Sequence, residues 1–377
     1  MKKTLAAVAV LGAFAGSALA ADVTLYGKVD MGLEYTHVEN ENGVKGDDSD
    51  SYGLESGLSS GSRFGIKGSE QISEGLTVGF QLEHGFSADS GKFGDDDRMF
   101  NRESRLYVAT NYGTFHFGRF GALDSGTGSL DVAAGLTASG TGYSGINDQS
   151  VVFYTHPRMD NSIAYTSPEF AGMTVSLMTS LKQDSAGKWS YADSIKDPYP
   201  TFGSAKDDGE EGQHTANRYH AAAVNGQWGA LGAGLIVSME DPANEVGFKK
   251  DDVLNVTAGV NYDFGVAKAY LAANYADAGE IETGVEESQW GIAASVEAPV
   301  GPGTVEAMVG YGVNTTETVG EADVDETTLT VGAFYKYPLS KRTYLYTGAG
   351  YTTVDYDKTN KEDENTITVI SGLCHNF

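Results

Sequence analysis

Gly121-Ala-Leu-Asp124-Ser-Gly-Thr-Gly-Ser-Leu-Asp131-Val-Ala-Ala-Gly-Leu-Thr-Ala-Ser-Gly140-Thr-Gly-Tyr-Ser-Gly-Ile-Asn-Asp148-Gln-Ser150 is the stretch on which the reading of this chain turns. It is rich in Gly, Ser and Thr, and it holds no Pro, Lys, Arg or Glu. Its only charges are Asp124, Asp131 and Asp148, and Arg119 and Arg158 bracket it. A connection this long without a period of its own is either functional or disordered when it interrupts a folded domain. What flanks it decides between the two.

The flanks alternate with period two. Val23, Leu25, Val29, Met31, Leu33 and Tyr35 fall on one face, and Thr24, Tyr26, Lys28, Asp30 and Glu34 on the other. Such a strand has one apolar face and is long for a soluble protein. The pattern returns in Phe64 and Ile66 against Arg63, Gly65 and Lys67. It returns again in Leu76, Val78, Phe80 and Leu82 against Thr77, Gly79, Gln81 and Glu83, and in Leu106 and Val108 against Glu103, Arg105 and Tyr107. Twelve further strands are predicted between Thr114–Arg119 and Thr366–Phe377, making sixteen. That leaves about 22 residues per strand and connection, as bacterial outer-membrane barrels require. Connections alternate between tight Gly- or Pro-bearing ones, such as Trp228-Gly229 and Gly301-Pro302-Gly303, and long polar ones, such as Val38–Ser60 and Lys182–Asn217. In hydrocarbon every backbone polar group must be paired, so the first and last strands are expected to meet. The predicted fold is all-β: a 16-stranded antiparallel transmembrane β-barrel, with the Gly121–Ser150 stretch folded inward as its third loop.

The ends agree with this reading. Lys2 and Lys3, the apolar run Leu5–Ala15 and Ala18-Leu19-Ala20 have the form of a secretory signal peptide, so residues 1–20 are expected to be removed and 21–377 to form the barrel. No segment reaches the roughly 18 apolar residues of a membrane helix. A mean hydropathy of −0.27 suits a barrel whose lipid and lumen faces average out. Forty-nine Gly, twenty-one Tyr and sixteen Phe against three Trp favour a sheet with aromatic girdles. The single Cys374 excludes an internal disulfide framework. A net charge of −27 argues against nucleic acid as a partner. Acidic runs (Asp47-Asp48-Ser49-Asp50, Asp95-Asp96-Asp97, Asp207-Asp208-Gly209-Glu210-Glu211, Glu362-Asp363-Glu364) read as solvated loop surface, with divalent cations bridging them to anionic lipid as the functional alternative.

At this point the chain resembles the trimeric, sixteen-stranded general porins of Gram-negative bacteria. The residues that carry the likeness are Asp22-Val23-Thr24-Leu25-Tyr26-Gly27-Lys28, Ser62-Arg63-Phe64-Gly65-Ile66-Lys67-Gly68 and Phe117-Gly118-Arg119-Phe120. Asp160-Asn161-Ser162-Ile163-Ala164-Tyr165 and the terminal Gly372-Leu373-Cys374-His375-Asn376-Phe377 complete them. The resemblance implies passive, non-enzymatic diffusion of ions and small hydrophilic solutes through the outer membrane. It also implies a homotrimer set in outer-membrane lipid and lipopolysaccharide, with no cofactor. Phe377 matches the terminal aromatic read by the barrel-assembly machinery. Lys28, Arg63 and Arg105 match a basic cluster on the barrel wall at the constriction, and Arg158 a further basic position. Strand parity independently turns the first three into the lumen. Asp124 and Asp131 stand for the loop acids that face this cluster in the family, although the loop lacks the family's Pro-Glu-Phe type of segment. The sign of the whole chain leans towards modest cation selectivity.

Other motifs are declined. Gly57-Leu58-Ser59-Ser60-Gly61 has the form of a nucleophile elbow but ends a loop before a strand. Gly140-Thr141-Gly142-Tyr143-Ser144-Gly145 lacks the βαβ unit of a dinucleotide site. Seven His show no ligand spacing for zinc. A sugar-selective channel is the alternative, but the inward aromatics Tyr26, Tyr107, Phe334, Tyr344 and Tyr346 are scattered over the strands. An outer-membrane hydrolase would need a convergent Ser/His/acid set, and none can be assembled.

Overall fold

The computed structural model describes residues 23–40, 48–94, 98–140, 146–182, 216–242, 251–357 and 363–377. The expected signal peptide and most of the acidic loop runs lie outside them. The strands are β1 (Thr24–Asn40), β2 (Ser49–Ser56), β3 (Arg63–Ser73), β4 (Leu76–Gly85), β5 (Glu103–Thr110), β6 (Gly113–Gly121), β7 (Arg158–Thr166), β8 (Met173–Ser180) and β9 (Arg218–Trp228). They continue as β10 (Leu231–Asp241), β11 (Val253–Asp263), β12 (Lys268–Glu282), β13 (Val285–Val300), β14 (Gly303–Thr318), β15 (Val324–Pro338), β16 (Thr343–Tyr356) and β17 (Glu364–Asn376).

Neighbours in the chain pair antiparallel, and β1 closes on β17 from Lys28↔Asn376 to Asn40↔Glu364. The outer half of β1 pairs with β2 and its inner half with β3. These two segments are therefore halves of a single interrupted stave, and the seventeen strands make a closed barrel of sixteen. Phe377 completes the seam, donating its N–H to the Gly27 carbonyl at 3.0 Å and accepting the Gly27 N–H at 3.1 Å.

Strand parity separates two solvents. On β11, Leu254, Ala258, Val260 and Tyr262 are exposed outward, while Asn255, Thr257, Gly259 and Asn261 are buried on the inner side. Leu106, Phe115, Ile163, Leu235, Leu271, Ile292 and Val331 continue the exposed apolar belt, which in a bilayer meets hydrocarbon. Tyr112, Phe170, Trp228 and Phe264 mark the rim with the short turns. There Gly229 (φ +62°) and Gly301 (φ +58°) take a backbone conformation that a side chain would strain.

Two sequence expectations need correction. Residues 49–56, read as loop, form β2, and β12 and β13 run to Glu282 and Val285, beyond the expected ends Ala276 and Ser288. Above the hydrocarbon both faces of a strand meet water. The apolar alternation fades there although the ladder continues.

Candidate functional site

The described residues of the segment between β6 and β7 bond the inner parity of the wall. Ala138 donates its N–H to Ser295 at 2.9 Å, Tyr154 to Asn274 at 2.9 Å, and the Asn147 amide reaches the Glu306 carbonyl at 3.1 Å. These partners stand on β12, β13 and β14, on the face opposite the apolar belt. The segment therefore lies inside the barrel. The wall makes room for it with glycine: a Cβ on Gly291 would run into the Val152 carbonyl, and one on Gly332 would approach Ile146 to 2.8 Å.

Asp124 is the root of this arrangement. It is 1 % exposed and accepts four hydrogen bonds: from His156 Nδ1 at 2.8 Å, Tyr219 at 2.9 Å, Ser238 at 2.6 Å and Asn255 at 2.9 Å. His156 Nε2 lies 3.4 Å from Glu240. Burial opposes a charged imidazole, but the Asp124 and Glu240 carboxylates override it and lift His156 to about 10. Burial likewise opposes the Asp124 carboxylate, and the imidazolium with its hydroxyl donors still holds it below the usual range. Asp124 thus joins both ends of the loop to β9, β10 and β11. It does not face the basic cluster, which corrects the sequence expectation. The reason is three donors from distant staves and a fourth, His156, from the far end of the loop, invisible in a local reading.

Asp131 also turns towards its own loop. Its carboxylate accepts the N–H groups of Gly126 at 2.8 Å, Ala133 at 3.2 Å and Ala134 at 2.8 Å. Burial pushes it up to about 7 against those donors. Its bonds shape the turn, another departure from a free acid aimed across the pore.

The basic residues do gather. Lys28 and Arg63 both donate to Ser60 Oγ, at 2.9 and 2.6 Å, and Arg63 lies 3.8 Å from Glu83. Arg105 bonds Gln81 at 2.9 Å and His116 at 3.1 Å and lies 3.4 Å from Glu103. The Arg158 side chain stands in the field of Arg102, Arg119, Glu83 and Glu103. Sequence reasoning missed three cations and three acids. Arg102 binds Glu83 at 2.7 Å, and Arg98 and Arg119 both bind Asp160, at 2.7 and 2.8 Å. Glu83 and Glu103 carried the inward parity and could have been named as partners. Arg98 and Arg102 precede β5 and have no strand parity to reveal them. The loop touches this wall at Ser129, which donates N–H and hydroxyl to Glu103 at 2.8 and 2.7 Å.

The rival readings find little here. Phe334 and Tyr346 stack at 5.5 Å but are buried among Leu58, Ile146 and Ile370, so they offer no sliding surface for sugars. The serines of the elbow-like segment bond Tyr344, Lys28 and Arg63, and neither is bonded to a histidine. No cluster of metal-ligating side chains occurs among the described residues.

Comparison with known proteins agrees with the geometry. The sequence profile described as Gram-negative porin matches residues 6–358. An outer membrane porin protein of Bordetella pertussis is 29 % identical over the full length of both chains. Outer membrane porin protein 32 of Delftia acidovorans is 30 % identical over 92 % of this chain and 88 % of its own. The anion-selective porin from Comamonas acidovorans superposes with a TM-score of 0.66 at 25 % identity, covering 95 % of this chain and all of its own. A closed sixteen-stave barrel with a lipid-facing belt and a hydrated, charged lumen, matched along nearly its whole length, belongs to the Gram-negative porin family and is a passive channel of the outer membrane.

Proposed function

We propose that the lumen is constricted between the Gly121–Ser150 loop and the basic wall, and that the constriction prefers anions. One observation carries this reading. Seven cationic side chains, Lys28, Arg63, Arg98, Arg102, Arg105, Arg119 and Arg158, share three carboxylates, those of Glu83, Glu103 and Asp160. Asp30 adds a fourth carboxylate near Lys28, held by Ser59, Ser60 and Tyr346, and the cations still outnumber the acids seven to four. Charges within a Debye length of about 8–10 Å govern a permeating ion, and more distant loop charges are screened. The preference therefore opposes the sign of the whole chain, and it replaces the cation selectivity inferred from net charge. The anion-selective name of the Comamonas acidovorans relative supports it.

Solutes pass by width and charge without a chemical step, so the chain is not an enzyme. Assembly as a homotrimer in lipid and lipopolysaccharide, removal of residues 1–20, and reading of Phe377 by the barrel-assembly machinery follow from the family. The test is the zero-current potential of the refolded protein in a planar bilayer under a KCl gradient at neutral pH. Its sign should report chloride as the more permeant ion, in conductance steps that close in threes. A potassium-signed potential would overturn the ion preference.

A further inference from the structure

Between β2 and β3 the stave leaves the wall. Residues 57–62 turn into the lumen instead of continuing the ladder, with Gly57 at φ +83° starting the turn. The buried carboxylate of Asp30 pins them, accepting the N–H groups of Ser59 at 3.0 Å and Ser60 at 2.7 Å and the Tyr346 hydroxyl at 2.5 Å. The Asp30 backbone adds three bonds: its N–H donates to Ser62 Oγ at 3.0 Å, and its carbonyl accepts the Ser62 hydroxyl at 3.1 Å and the Gly57 N–H at 3.0 Å. A short inlet held by five hydrogen bonds to one strand residue, itself bonded to Tyr346, is a built feature.

Its two ends touch the two sides of the constriction. Leu58 is buried in the cluster that holds Ile146 of the long loop together with Phe334, Tyr346 and Ile370. Gly61, at the other end, is exposed, and a Cβ placed there would meet only the Arg102 guanidinium, at 3.3 Å. The inlet thus spans the gap between the loop-covered wall and the basic wall. At its centre Ser60 Oγ accepts from both Lys28 Nζ and Arg63 Nη2. Two like charges are held side by side by one hydroxyl. Lys28 has no carboxylate within ion-pair distance among the described residues.

We propose that the inlet 57–62 is a second constriction element and that Ser60 is a selectivity determinant, acting by holding Lys28 and Arg63 at the lumen surface. Ser60 is a positioning residue, and Asp30 positions it in turn. The role of Ser60 rests on the anion-preferring reading above, whereas the placement of the inlet does not.

Two measurements test the pair of claims. Gly61→Cys is made in a Cys374→Ser chain, and single channels are exposed to methanethiosulfonate reagents carrying either a sulfonate or a trimethylammonium group. The thiolate attacks the reagent sulfur, a mixed disulfide forms and methanesulfinate leaves. Stepwise loss of conductance is expected, faster with the anionic reagent, and none in the Cys374→Ser chain alone. Modification without loss of conductance, or no modification of the folded channel, overturns the inlet's placement. Second, Ser60→Ala should lower the chloride-to-potassium permeability ratio by about two-fold, the size of one weak ionic contribution. Ser60→Thr should restore it, and a purely structural role would move both variants together. An unchanged ratio in Ser60→Ala overturns the selectivity role. If the parent channel prefers potassium while Gly61→Cys still blocks, the anion reading has failed and the inlet stands.

Discussion

The two halves of the lumen wall are built from different materials. From β10 to β15 the inner face is rich in glycine, alanine, serine and asparagine beside the buried glutamates Glu287, Glu306 and Glu326, and the long loop lies on it: Val152 over Gly291, Ile146 over Gly332, Asn255 and Ser238 on Asp124. From β3 to β7 the inner face gathers arginine and glutamate, and among the described residues the loop bonds it through Ser129. The first half spends its polar groups on holding a segment still. The second leaves positive charge in excess of its carboxylates. Packing there sets where the aperture is, and charge here sets what passes through it. Substitutions on the covered half should therefore alter stability and conductance, and those on the bare half ion preference.

The largest effect should come from Asp124→Asn. It breaks a buried ion pair and leaves His156 without its principal partner, at a cost of about 3–5 kcal/mol by the usual penalty for one-sided removal. Thermal unfolding in detergent should fall, and single-channel current should become larger and noisier as the loop root loosens. The pair also gives a pH signature. His156, lifted to about 10, contributes stability that is whole below its ordinary value near 6.5 and is lost as pH rises towards 10. Asp124, held below the carboxylate range, contributes above that range and loses its contribution in acid. The parent chain should lose stability from pH 7 to 10, and Asp124→Asn should flatten that slope.

Gly291→Ala comes next. Its methyl group would enter the space of the Val152 carbonyl, so an overpacking cost of about 1–3 kcal/mol is expected in the unfolding midpoint. Its zero-current potential should stay near that of the parent. A loss of selectivity with unchanged stability would break the division between the halves.

On the basic wall, Lys28→Gln should lower the chloride-to-potassium ratio while moving the unfolding midpoint little, because Lys28 has no carboxylate within ion-pair distance among the described residues. The smallest effect concerns Asp131. Burial holds it protonated up to about 7, so raising pH from 5 to 8 adds one negative charge near the aperture. Anion preference should decline modestly across that range, and Asp131→Asn should abolish the decline.

How far the sequence carried this account follows the same division. Strand number, parity and closure were legible because lipid outside and water inside impose a period of two, and Lys28, Arg63 and Arg105 were placed by that parity. β2 was not legible, because both its faces meet water. The role of Asp124 was hidden because its donors Tyr219, Ser238 and Asn255 lie on three staves far along the chain. Ser60 looked like loop end, and its meaning depends on Asp30, a residue whose inward parity was clear but whose partners were not. Arg98 and Arg102, just outside a strand, carried no periodic signal.

The central claim is that ion preference resides chiefly on the basic wall. The most direct test is the zero-current potential of Arg102→Gln/Arg158→Gln under a KCl gradient at neutral pH, beside single-channel conductance and unfolding midpoint. The account predicts a potential moved well towards the potassium side with the aperture and the fold retained. A potential equal to that of the parent chain would contradict it.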